Sequence, residues 1–473
     1  MKSRYVSRTP HNRRLIIIFA GWGMDSRPFR DLHAQGYDIL IVWDYRNLTF
    51  NWTPLMRYEE ICLIAWSMGV FAASLTIHEI DPRITKRIAV CGTLDPISDR
   101  RGIPTATYHG TINALTPGSL HKFYRRMCSD TKQFEQFREH RPQRPLAELI
   151  DELNAIETHT IFHTPQVDNW DLAIIGRNDR IFPVANQLSA WRQTAPTKIE
   201  DCGHLPDFQK IIDSHIIDKT HVQQRFTQAT DTYSQAAQAQ QKIARTLLDL
   251  FARATGNDSI PQLNGDILEI GCGQGTLTNL YARHLSPNAQ LRLWDIASVD
   301  TSAMPTQAIF TQCDAETAIR RLPPRSLAYI LSSSTIQWFN SPAAFLRQCE
   351  RTLIPGGYLI ISTFAAGNLG EITQTTNTSL NLPTQAQWQN MISDKFTLYV
   401  CQASTLTLKF PSPAHVLRHL RDTGVNALST NNPRITMARS ILNNHPRDTE
   451  GNCPLTYRPI FIIARRNDPT ERN

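Results

Sequence analysis

Ile61-Cys62-Leu63-Ile64-Ala65-Trp66-Ser67-Met68-Gly69 decides the fold of the first half of this chain. Its apolar run Ile61–Ala65 has the length and continuity of a strand covered on both faces. Met68–Ile80 follows with helical spacing. A serine caught between such a strand and such a helix projects its hydroxyl away from the sheet, beside a helix N-terminus that favours developing negative charge. The run matches G-x-S-x-G except that Ala65 stands where the first glycine is usual. Alanine still meets the need for a small flank beside a strained turn. Roughly two hundred residues further on, about one domain's worth of chain, Ile267-Leu268-Glu269-Ile270-Gly271-Cys272-Gly273-Gln274-Gly275 repeats the strand-to-helix grammar with a glycine loop in place of the serine.

Working outward, both halves alternate strands with helices. Leu15–Ala20, Asp38–Trp43, Arg87–Gly92, Leu172–Gly176 and Thr197–Asp201 join Ile61–Ala65 as strands of one sheet. Asp266–Ile270, Gln290–Trp294, Ala308–Cys313, Leu327–Leu331 and Gly357–Thr363 form a second series. Such alternation predicts α/β architecture with parallel sheets covered by helices. Residues 113–165 break the rhythm; they are polar and helix-prone, which predicts a helical cap inserted in the first domain. The domains are expected at 1–215 and 222–473, with a patternless junction at 213–226. One Gln- and Ala-rich helical stretch is expected from Ala229 to Ala252. After Lys409 the sequence reads as one helix, a polar loop and a last strand at Pro459–Ala464.

The 473 residues carry 41% hydrophobic and 19% charged side chains, as soluble globular chains do, and a net charge of +7. That excess suits an acidic partner without identifying one. Nothing in it calls for nucleic acid. The 9 cysteines, an odd number with no C-x-x-C pair, argue against a disulfide framework and a thiolate zinc site. A reduced, cytoplasmic setting is expected, with no metal. The run Leu15–Ala20 is too short for a secretory or membrane-spanning segment, so no membrane association is expected.

Ser67 has candidate partners in the order this turn requires, acid and then histidine. Asp179 follows the strand Leu172–Gly176, and His204 follows the strand Thr197–Asp201. Both loops lie beyond carboxyl ends of strands, where sheet enzymes build their sites. His204 would take the Ser67 proton and Asp179 would orient the imidazole. Asp171, Asp201 and Asp207 are weaker candidates for the acid. An oxyanion needs two backbone donors. The N–H of Met68 is one, and the N–H of Trp22, in Gly21-Trp22-Gly23 after the first strand, is the other. The Trp22 indole either walls the acyl pocket or is structural. Residues 13–212 thus resemble the α/β-hydrolase superfamily, and more narrowly the BioG type of pimeloyl-acyl-carrier-protein methyl ester esterase. The resemblance rests on Phe19-Ala20-Gly21-Trp22-Gly23-Met24-Asp25, on the Ser67 turn and on the Asp179 and His204 loops. It implies hydrolysis of a methyl ester carried on an acyl carrier protein. A basic cap contacts the acidic carrier in related esterases. Lys122, Arg125, Arg126, Lys132, Arg138, Arg141 and Arg144 lie in the matching segment, against only Asp130, Glu135 and Glu139.

In the second half, Glu269-x-Gly271-x-Gly273-x-Gly275 opens onto a helix N-terminus, a place for an anionic or polar cofactor. Asp295 ends the next strand, where a carboxylate meets ribose hydroxyls. Asp314 ends the third strand. The three acids together favour S-adenosylmethionine over a dinucleotide, as in Rossmann-like class I methyltransferases, where the residue at Asp314 reads the adenine amine. Leu331-Ser332-Ser333-Ser334-Thr335-Ile336-Gln337-Trp338-Phe339, with Tyr233 and Gln240 upstream, resembles the BioC type, the malonyl-acyl-carrier-protein O-methyltransferase, over about 226–464. Gln337 and Trp338 are the candidates for holding a substrate carboxylate, or else pack the core after the fourth strand.

Taken together, the two resemblances imply a bifunctional enzyme of biotin synthesis that installs and removes the same methyl ester. Two other arrangements stay open: a general esterase joined to a small-molecule methyltransferase, and one active half beside a carrier-binding scaffold. Reversing the charge of Arg125, Arg126, Arg138 and Arg141 separates the first of these. Hydrolysis of the carrier-bound ester is expected to slow about tenfold or more while a free short-chain ester is hydrolysed at the original rate. An unchanged rate on the carrier-bound ester favours the version without a carrier.

Overall fold

The computed structural model describes residues 1–165, 169–302, 304–376, 380, 382–424 and 434–468. The chain divides into two compact units, Met1–Ile216 and Ile217–Asn473.

In the first unit seven strands form one sheet: β1 (Lys2–Ser7), β2 (Arg14–Phe19), β3 (Asp38–Trp43), β4 (Glu60–Trp66), β5 (Ile84–Val90), β6 (Leu172–Gly176) and β7 (Thr197–Glu200), in the order β1-β3-β2-β4-β5-β6-β7. All neighbours are parallel except β1, which runs antiparallel to β3. The continuous apolar runs of β2 and β4 make them central strands, buried on both faces. β1 is the strand the sequence hides. Lys2-Ser3-Arg4-Tyr5 is polar and half exposed, as an edge strand can be. α1 (Met68–Thr76) leaves β4 directly through Ser67.

The cap is four helices between β5 and β6: α2 (Thr105–Asn113), α3 (Pro117–Met127), α4 (Thr131–Glu139) and α5 (Leu146–Phe162). It begins earlier than residue 113, because α2 is rich in Thr, His and Gly and buries only Tyr108, leaving no apolar stripe to read. α6 (Val184–Trp191) and α7 (Phe208–His215) complete the unit.

The second unit opens with α8 (Lys219–Ala236), in the segment that carries no pattern in sequence, and α9 (Gln238–Ala254). The single helical stretch expected there is broken at Ala237, whose ψ of 41° leaves the helical region. The strands are β8 (Asp266–Ile270), β9 (Gln290–Asp295), β10 (Ala308–Gln312), β11 (Leu327–Ser333), β12 (Leu353–Phe364), β13 (Phe396–Ala403), β14 (Leu406–Phe410), β15 (Cys453–Tyr457) and β16 (Pro459–Arg466). Seven form a sheet in the order β10-β9-β8-β11-β12-β16-β13, and β14 pairs with β15. β16 enters antiparallel to both neighbours. The tail is richer than expected, with helices Pro413–Asp422 and Arg434–Asn444 and strands β14 and β15 before β16. β14 alternates exposed and covered residues and carries no apolar run; β13 does carry one, Leu398–Cys401, on an edge strand with no buried residue after Phe396. Residues 425–433 of the expected polar loop lie outside the described residues. Among the described residues no helix is long and apolar enough to cross a membrane.

The turn from β4 to α1 is held by close approach. A Cβ on Gly69 would sit 2.4 Å from the carbonyl oxygen of Phe19. Gly69→Ala must push α1 away from β2. It is expected to cost about 2 kcal/mol of unfolding free energy in denaturant titration, the range for overpacking a buried site.

Candidate active sites

In the first unit Ser67 sits at φ +59°, ψ −127°, between the end of β4 and the start of α1. Few residues other than glycine adopt a positive φ, and non-glycine examples concentrate at functional turns. Gly92 makes room behind it: a Cβ there would lie 2.3 Å from the Ser67 carbonyl oxygen. His204 Nε2 lies 3.0 Å from Ser67 Oγ, and His204 Nδ1 lies 3.0 Å from Asp179 Oδ2. A carboxylate only accepts, so Asp179 keeps the imidazole proton on Nδ1 and leaves Nε2 free to accept from the serine. All three side chains are buried.

Each member is braced. The backbone N–H groups of Ile181 and Phe182 donate to Asp179 Oδ1 at 2.8 and 2.9 Å. Gln187 Nε2 donates to Oδ2 at 3.0 Å. The His204 ring stacks on Phe182, and its carbonyl accepts from the Trp66 indole at 2.8 Å. The cap ends of α3 and α4 hold the histidine loop, through Leu205 N–H to Met127 O and Gln133 Nε2 to Leu205 O. The other aspartates have structural duties. Asp171 accepts from Arg87 N–H, Asp201 from Asn178, and Asp207 caps α7.

Trp22 is buried, with its indole donating to Leu149 O of α5 at 2.9 Å and its ring edge-on to Phe123 of α3. The backbone N–H groups of Trp22 and Met68 donate to nothing among the described residues. On the cap, Lys122, Arg125, Arg126, Lys132, Arg138 and Arg141 are exposed. Arg144 is not: its side chain is 5% exposed and bonds Glu152 Oε2 at 2.6 Å. A charge count along the chain has no access to that burial.

In the second unit the glycine loop opens a cavity. Gly271, Gly273, Asp295, Asp314 and Trp338 line it, with Phe226, Thr230 and Tyr233 of α8. Gly271 is required by approach: at φ +70° a Cβ would lie 1.9 Å from Thr335 Oγ1. Asp295 accepts from Gly273 N–H at 2.9 Å and from Ala297 N–H at 2.8 Å, and burial raises its carboxyl above the usual range. Asp314 caps the helix Ala315–Ala318. Glu269 and Gly275 do not line the cavity. Glu269 instead accepts from Thr278 Oγ1 at 2.7 Å and Tyr281 OH at 2.6 Å, bracing the loop from behind.

Gln337 also turns away. Its amide donates to Ser334 O at 2.6 Å and accepts from Thr363. The Trp338 indole N–H and the Ser334 hydroxyl are buried without a hydrogen-bond partner among the described residues, and both residues line the cavity. Buried donors left in this way call for an explanation. Ser334 was not legible in sequence, because what marks it is its φ of +57°. Lys219 was missed too. It sits in the first turn of α8, 2.8 Å from Glu316 and 3.6 Å from Asp314, at the cavity wall. Among the described residues no group of three or more His, Cys, Asp or Glu side chains could hold a metal ion.

Fold and sites together define an α/β-hydrolase domain followed by a Rossmann-like class I methyltransferase domain. Residues 1–213 match the family model described as pimeloyl-ACP methyl esterase BioG, and residues 236–403 match a methyltransferase domain model. The chain belongs to the malonyl-[acyl-carrier protein] O-methyltransferase family, with a BioG domain at its N-terminal end. It is 35% identical over 472 residues to the protein of that name from Bacteroides fragilis (strain 638R), covering 97% of this chain and 94% of that one. The Haemophilus influenzae protein of the same name is 34% identical over 258 residues, 53% of this chain and 95% of its own length. A crystal structure of BioG from Haemophilus influenzae is 33% identical, covering 43% of this chain and 94% of that one, with a TM-score of 0.40.

Burial pushes the Glu269 carboxyl up to about 7, against the hydrogen bonds from Tyr281 and Thr278 that favour its ionised form. A carboxyl raised in the folded state binds its proton more tightly there than in the unfolded chain. The contribution of Glu269 to stability is therefore fullest below the ordinary carboxylate range and is lost as pH rises through about 7. Glu269→Gln removes this dependence. Between pH 4.5 and 7.5 the melting temperature of the variant is expected to fall less with rising pH than that of the parent. Parallel curves would mean that Glu269 does not titrate there.

Proposed function

We propose that this chain both installs and removes a methyl ester on acyl carrier protein. It methylates the free carboxylate of the malonyl thioester and hydrolyses the methyl ester of the pimeloyl thioester, serving biotin biosynthesis. One observation carries the reading: a hydrogen-bonded Ser67–His204–Asp179 chain and a glycine-walled cavity with two carboxylates occur on one polypeptide.

In the esterase reaction Ser67 Oγ bonds to the ester carbonyl carbon while its proton passes to His204 Nε2. The carbonyl oxygen becomes an oxyanion, and the N–H groups of Met68 and Trp22 donate hydrogen bonds to it. Asp179 stabilises the imidazolium. Collapse breaks the bond to the methoxy oxygen, and His204 returns the proton so that methanol leaves. Water then repeats the sequence on the acyl-serine, which frees the carboxylate and restores Ser67. The exposed arginines of α3 and α4 meet the acidic carrier.

The second cavity fits S-adenosylmethionine, which supplies a methyl group on a sulfonium that a carboxylate attacks directly. Asp295 suits the ribose hydroxyls, Asp314 the adenine amine, and Ile270, Ile296 and Phe339 the flat base. A carboxylate is already nucleophilic near neutral pH, so the site needs no base; it needs alignment. Trp338 and Ser334 are the donors we assign to the carboxylate. Among the described residues lining the cavity, Lys219 is the only Lys or Arg, and it is engaged by Glu316 and Asp314. Neutral donors hold the carboxylate without drawing its lone pairs onto a full positive charge. A reducing cytoplasm suits nine cysteines that form no disulfide.

Two variants test the halves separately. Ser67→Ala is expected to lower ester hydrolysis about a thousandfold and leave methyl transfer intact. Asp295→Ala is expected to do the reverse, measured as methyl incorporation from labelled S-adenosylmethionine. Loss of both activities in either variant overturns the assignment of one reaction to each half.

A further inference from the structure

The loop that carries Trp22 is tied to the cap. Gln143 N–H donates to Asp25 Oδ2 at 3.0 Å, and Arg144 Nη1 donates to Met24 O at 3.4 Å. The Trp22 indole donates to Leu149 O, and Gly23 N–H donates to Glu152 Oε2 at 3.3 Å. Residues 22–25 are thus held by four contacts from one short segment, 143–152.

Glu152 is the hub. Its side chain is fully buried, and it accepts from Gly23 N–H and Arg144 Nη1 on one oxygen and from Tyr45 N–H at 2.8 Å on the other. Tyr45 in turn donates its hydroxyl to Ala20 O at 2.6 Å, at the start of the same loop. Arg144 completes the set with an ion pair to Asp44, 3.2 Å away. A buried pair of this kind is poor value as a stabiliser, because desolvation consumes most of its attraction. It does fix direction, and what it fixes is the peptide next to the Trp22 N–H.

We propose that Glu152 and Arg144 are positioning residues of the esterase. Acting through Gly23 and Met24, they hold the Trp22 N–H where the oxyanion forms. The inference rests on the esterase reading of the Ser67 site. It gives the start of the last cap helix a task distinct from that of the exposed arginines: the seat of α5 sets the alignment of an oxyanion donor. Glu152 touches no reacting atom, so its loss weakens the transition state and spares ground-state binding.

The test uses the full-length protein, a methyl pimeloyl carrier and a trifluoromethyl ketone of the same acyl length. Ser67 Oγ adds to the ketone carbon and leaves an oxyanion in place of the carbonyl, so its affinity reads the donors directly. Glu152→Gln is expected to lower kcat about 10- to 100-fold with KM within about threefold of the parent, and to weaken the ketone by the same factor as kcat. Glu157→Gln breaks a cap-internal pair to His109 and is expected to change neither. Should Glu152→Gln fail to fold, Arg144→Lys decides, since it keeps the positive charge and loses the guanidinium bonds to Met24 and Glu152. A matched loss of kcat and ketone affinity supports the proposal. A kcat within twofold of the parent, a lower kcat with unchanged ketone affinity, or an equal loss in Glu157→Gln overturns it. If Ser67→Ala hydrolyses the ester at the parent rate, the esterase reading itself fails, whatever Glu152→Gln does.

Discussion

Both sites depend on a glycine lying so close to its neighbours that a side chain there is forbidden. Ser67 holds its turn because Gly69 lies against the Phe19 carbonyl and Gly92 against the carbonyl of Ser67 itself. Gly271 comes as close to Thr335 in the other unit. Each approach brings the amino end of a helix or loop over the carboxyl edge of a parallel sheet, where backbone N–H groups point outward. The reactive side chains are added to that edge. Methylene-sized additions at these glycines would move the edge before they touched any catalytic group.

Much of this was legible because chemistry and topology constrain the same positions. Ser67, Asp179 and His204 each follow a strand, in an order that fixes their meaning, and the apolar runs of β2 and β4 announce central strands. Gly271, Asp295 and Asp314 are readable for the same reason. What stayed hidden is of two physical kinds. β1 and β14 are polar or alternating, so they carry no apolar run. Arg144, Glu152, Lys219 and Ser334 act through contacts between distant segments, or through a backbone angle, and spacing encodes neither. Arg144 was misread outright: it sits among surface arginines in sequence and inside the protein in space.

The two units solve opposite electrostatic problems with similar means. In the proposed reaction the hydrolase site must welcome a negative charge that appears on oxygen, and the backbone N–H groups assigned to it would meet that charge. In the reading proposed here, the methyltransferase site must hold a negative charge that is about to disappear, and it offers an indole and a hydroxyl. Among the described residues lining the second cavity, Lys219 is the only Lys or Arg, and it is engaged by Glu316 and Asp314. A full positive charge would stabilise the carboxylate on both sides of the interconversion. It would slow methylation and retain the product of hydrolysis.

Ser67 carries a further consequence. A serine held at φ +59° stores roughly 1–3 kcal/mol of backbone strain that glycine would not feel. The most durable version of this domain is therefore not the working one. Random drift filtered only for solubility and expression would favour glycine at position 67 and silence the esterase while improving the fold. Serine at position 67 of this chain is thus explained by its chemistry and not by the comfort of its backbone.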